Sequence, residues 1–101
     1  MKSRLDLQQM LEDILGSRNV YFQPPAGLQM KYPAIVYSRN KIDNRHANNS
    51  TYLQNKSYEV IVIDKNPDSS IVDTVSKIPM CQHDRHYKTD NLNHDVFTLY
   101  F

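Results

Sequence analysis

Apolar positions along the chain switch between helical and strand spacing, and each switch marks an element. Leu7, Met10, Leu11, Ile14 and Leu15 recur at helical spacing, with Gln8, Gln9, Glu12 and Asp13 opposite them. Ser3 as N-cap, Asp6 three residues on, and Gly16 just past the last apolar position bound a helix over 4–15. Its single apolar stripe suits a helix lying on a sheet. Val20-Tyr21-Phe22 is a short extended piece halted by Gln23-Pro24-Pro25, where two prolines remove two backbone donors; it reads as an edge strand or an arm. Residues 33–39 then form a strand with its proline at the start.

The densest β-branched and aromatic run, Tyr58 to Ile63, lies in a strand over 52–64. Alternation sends Tyr58, Val60 and Val62 to one face and Glu59, Ile61 and Ile63 to the other, so neither face is built for bulk water. Asn66 as N-cap, Pro67 at N1 and Asp68 in the first turn predict a helix over 67–78 with Ile71, Val72, Val75 and Ile78 inward, stopped by Pro79. Residues 80–87 and 95–101 read as two strands joined by the Asn- and Asp-rich turn 88–94. Between the second and central strands, 40–51 holds four Asn and almost nothing to bury, which predicts a long contact loop. The fold expected is α+β: a single mixed or antiparallel β-sheet, two helices packed on one face, and a long loop between two strands.

With 101 residues the chain suits one domain, 1–101, with a thin core. Twelve Lys and Arg against 11 Asp and Glu leave a net charge of +1, which gives the whole chain no nucleic-acid footprint. One cysteine, Cys81, excludes an internal disulfide and fits a reducing compartment. The N-terminus is charged and soon amphipathic, and no apolar run reaches membrane-spanning length, so a soluble protein without a membrane partner is expected.

Candidate chemistry concentrates at Cys81-x-His83-Asp84-x-His86, with Asp90 and His94 behind it. Two His and a carboxylate are a ligand set for a hydrolytic metal, but regular strand alternation puts Cys81, His83 and Arg85 on one face and Asp84 and His86 on the other. Cys81 at a strand start lacks the cationic pocket or helix N-terminus that activates a thiolate. Asp64 and Asp68 are explained by the helix start and Glu59 by a sheet edge or interface. No catalytic residue, metal or cofactor is therefore expected; a metal-dependent enzyme built on Cys81, His83, His86 and His94 is the weaker alternative. Arg39, Lys41, Arg45 and His46 bias the 40–51 loop positive. A nucleic-acid-binding module is one alternative for them, and a loop that orders on a protein partner is the favoured reading.

Five passages carry a resemblance: Val20-Tyr-Phe-Gln-Pro-Pro25, Met30-Lys-Tyr-Pro-Ala-Ile-Val-Tyr37, Tyr58-Glu-Val-Ile-Val-Ile-Asp-Lys-Asn-Pro-Asp-Ser69, Ile78-Pro-Met-Cys81 and Asp90-Asn-Leu-Asn-His-Asp-Val-Phe-Thr-Leu-Tyr100. In this order, over most of the chain, they resemble small tailed-bacteriophage proteins encoded among head–tail connector and tail genes. The resemblance implies a fold like that of tail terminator and tail completion proteins, and a hexameric ring that caps the tail tube and docks to the head connector. It implies a virion protein assembled in the bacterial host cytoplasm, with no specific nucleic-acid contact. A ring needs a heterologous interface. The residues put forward for it are the edge Val20, Tyr21 and Phe22, the second sheet face at Ile61 and Ile63, and Arg39, Lys41, Arg45 and His46 of the loop.

Overall fold

The computed structural model describes residues 4–25, 27–47 and 50–100, and for 41–47 and 50–56 the backbone alone. The elements are α1 (Arg4–Leu15), β1 (Val20–Phe22), β2 (Ala34–Ala47), β3 (Ser50–Asp64), α2 (Ser70–Ser76), β4 (Cys81–Thr89) and β5 (Leu92–Tyr100). They build one five-stranded mixed sheet in the order β1-β2-β3-β5-β4, as expected of an α+β fold. β1 runs parallel to β2; every other pair is antiparallel.

Strand alternation decides which side the helices cover. Tyr58, Val60 and Val62 of β3 join Ile35, Tyr37, Phe97 and Leu99 in one cluster with Leu7 and Leu11 of α1 and Val75 of α2. Both helices therefore lie on the same sheet face. Val20 belongs to this core as well, being 6% exposed. Each such buried aliphatic side chain contributes about 1.5–3 kcal/mol, and together they hold α1 and α2 down. Polar groups line the rim of the core. The hydroxyl of Tyr37, whose side chain is fully buried, donates to Gln8 Oε1 and accepts from Arg4 Nη1 at 3.3 Å. Gln8 Nε2 also donates to the Val20 carbonyl at 3.1 Å, tying the edge strand β1 to α1.

Three boundaries differ from the sequence expectation. The helix predicted over 67–78 is only Ser70–Ser76, because the polar corner before it makes its own turns. Asp64 Oδ1 accepts from the Asn66 N–H and Asn66 Oδ1 from the Asp68 N–H, each at 3.0 Å, as consecutive Asx turns. Ser69 is the N-cap, its Oγ accepting from the Ile71 N–H. The turn predicted over 88–94 contracts to Asp90-Asn91, whose φ of 52° and 62° are those of a type I′ hairpin.

The third difference is the largest. The described residues of the predicted long loop over 40–51 are strand: β2 runs on to Ala47 and β3 begins at Ser50. Their ladder continues from Lys41↔Ser57 to Ala47↔Ser50, with irregularities after Arg39 and after Arg45. The signal was missed because 40–51 holds only Ile42 and Ala47 as apolar residues, too few to show a period-2 pattern. β5 pairs with β3 only from Ser57 inward, and β1 with β2 only from Ile35 to Tyr37. Among the described residues, 41–47 and 50–56 thus pair with each other alone. Seven residues at about 3.3 Å each give a projection of roughly 23 Å, and the molecule measures 51 × 23 × 23 Å.

Candidate functional site

Opposite the helices, register aligns an apolar row across four strands. Tyr21 lies beside Val36, Val36 beside Ile61, and Ile61 beside Val96. Val96 is fully buried, whereas Tyr21, Val36 and Ile61 are half-buried. A neighbouring row, Ala34, Ile63 and His94, is closed by the chain itself at Ala34 and Ile63, which are 0% and 5% exposed. On the other side the row grades into Ser38, Glu59 and Thr98.

This sorts the residues put forward for an interface. Tyr21 and Ile61 present partly open side chains on the helix-free face. Val20 and Ile63 do not, because both are core groups within a single chain. Phe22 turns its side chain toward the helices, 5.0 Å from the Tyr37 ring and beneath the Arg4 guanidinium at 4.5 Å, while its backbone stays on the edge strand β1. Arg39 is exposed at the base of the β2–β3 ribbon. The side chains of Lys41, Arg45 and His46 lie outside the described residues; their backbone belongs to the ribbon.

The Cys81–His94 region is rearranged by a bulge between His83 and Arg85. The extra residue breaks the expected alternation, so that His83 and His86 both turn toward the helix side of β5. His83 Nε2 lies 3.1 Å from Oδ1 of Asp95, and its ring meets Phe97 edge-on at 5.1 Å. His86 Nε2 lies 3.1 Å from Asn93 Oδ1. Asn93 uses its amide nitrogen on the carbonyls of Asp64 and Lys65 at 3.4 and 3.3 Å, which leaves its oxygen to accept from His86. Asn93 thereby clamps β4, β5 and the exit of β3 together. Sequence reading missed it, because Asn93 meets Asp64 only through the pairing of β3 with β5.

On the opposite face Thr98 donates to Asp84, Arg85 sits 6.0 Å over the Tyr87 ring, and Tyr87 stacks on His94 at 4.7 Å. His94 is consequently separated from His83 and His86 by the sheet. Among the described residues no three His, Cys, Asp or Glu groups are placed to hold a metal ion. Burial, with the Asp84 charge nearby, pushes the Cys81 thiol above its ordinary pKa, the reverse of what a nucleophile needs. These contacts fasten an exposed edge strand to the core. No family model matches the chain, and no curated protein matches it.

Proposed function

We propose that the chain is a virion structural protein of tailed bacteriophage, a tail terminator or head–tail joining subunit that closes into a ring, six-fold as the resemblance implies. The observation that supports this best is the Tyr21–Val36–Ile61 row on the helix-free face. A contiguous apolar row with a polar margin is the usual make-up of a protein contact. Paired with a different patch on the next copy, it gives the heterologous contact that a closed ring requires. The partners of the ring are the tail tube protein below and head connector proteins above. Its chemistry is surface complementarity, with no catalytic group and no cofactor.

Inactivating the gene in the phage that carries it tests the reading. Unusually long tails identify a terminator, and normal tails unattached to heads identify a joining protein. Normal infectious particles would overturn both.

A further inference from the structure

The Tyr21–Val36–Ile61 row starts at the β1 edge of the sheet, and a head-to-tail contact needs its counterpart elsewhere on the chain. We propose that the counterpart is Met80 with Lys77 beside it: Met80 packs on the row of the next copy, and Lys77 pairs there with Glu59. This inference rests on the ring reading and names the second half of that contact.

Exposure is the first observation. Met80 is 69% exposed, more than any other large apolar residue described. Its φ of 65° is left-handed, where Gly or Asn is the ordinary occupant. Backbone bonds hold it there: the Ile78 carbonyl accepts from the Cys81 N–H at 3.2 Å, and the Met80 carbonyl accepts from the Tyr100 N–H at 3.1 Å. An open methionine on a pinned backbone is an adaptable apolar knob. Placement is the second. Met80 directly precedes β4, and the strand order β1-β2-β3-β5-β4 sets it at the sheet edge opposite Tyr21. Complementary patches at opposite edges join copies head to tail, whereas a two-fold dimer brings one patch against itself.

Charge is the third. Glu59 is half-buried on the same face of β3 as Ile61, two residues along the strand. Lys77 is exposed three residues before Met80. Among the described residues neither side chain has a hydrogen-bond or ion-pair partner. A carboxylate at the margin of the row and an ammonium beside the knob are complementary, and such pairs fix the register of a contact.

The test is self-association of the full chain, followed by sedimentation with and without tail tubes. M80G removes the knob and suits the left-handed φ, so association should weaken at least tenfold while the unfolding midpoint stays or rises. E59K and K77E should each weaken it at least tenfold by setting like charges together, and the double variant E59K/K77E should restore it. L5S removes an apolar group of similar exposure, 65%, on α1 and should associate as the unaltered chain does. M80G mixed with I61K keeps one half of the contact on each chain, so the mixture should stop at dimers with one chain of each. Loss of association in I61K but not in M80G would overturn this inference and leave the ring reading standing, as would a double variant no better than its parents or a mixture without dimers. Unaltered chains that stay monomeric under both conditions would overturn the two together.

Discussion

At the scale of single residues, the fold turns on a few buried groups whose roles are separable by substitution. Leu11 is fully buried between α1 and the sheet, so Leu11→Ala should cost about 2–5 kcal/mol in urea unfolding, as transfer and cavity terms add. Tyr37 tests polar satisfaction instead. Tyr37→Phe removes the donor to Gln8 and the acceptor for Arg4, with an expected loss of about 0.5–1.5 kcal/mol. Burial also raises the Tyr37 pKa, partly offset by Arg4. Its neutral form is the one the fold favours, so the associated stability is complete below the ordinary tyrosine pKa of about 10 and is lost as pH rises through the higher folded value. Alkaline unfolding curves should therefore fall less steeply for Tyr37→Phe than for the unaltered chain. The core residues were readable from spacing alone, because burial on one face imposes a period. The Asn93 clamp was not, since nothing local to Asn93 records that the Asp64 and Lys65 carbonyls come to it from 29 and 28 residues away.

At the scale of elements, boundaries follow local hydrogen bonding more closely than hydrophobic spacing. The Asx turns at Asp64 and Asn66 consume the polar groups that sequence reading had assigned to a helix start, and Ser69 takes the cap. Ser69→Ala should accordingly cost about 1 kcal/mol, whereas Pro67→Ala should leave α2 helicity by circular dichroism unchanged, because Pro67 precedes the helix. The two errors of greater consequence have opposite physical origins. The ribbon was hidden because 40–51 is nearly all polar and so carries no alternating apolar pattern. The β4 face assignment failed because one bulged residue reverses alternation, and composition does not announce where a bulge falls. Both were matters of tertiary pairing. The helix α1, the edge strand β1 and the two-faced character of β3 were legible because each is set by local spacing or by prolines.

At the scale of the molecule, the two-faced strand that dominates the sequence has two different answers. Its Tyr58, Val60 and Val62 side is closed by helices; on the other side Ile63 is closed by the chain, and Ile61 is left half-open in a row with Tyr21 and Val36. The proposed ring rests on that row. Ile61→Lys places a charge where a neighbour would pack, with an expected tenfold or greater loss of self-association and little change in the unfolding midpoint of the single chain. The most direct measurement is native mass at millimolar chain concentration, alone and with tail tubes. The account predicts a closed ring of six chains of 11.9 kDa, abolished by Ile61→Lys. Monomers under both conditions would contradict it.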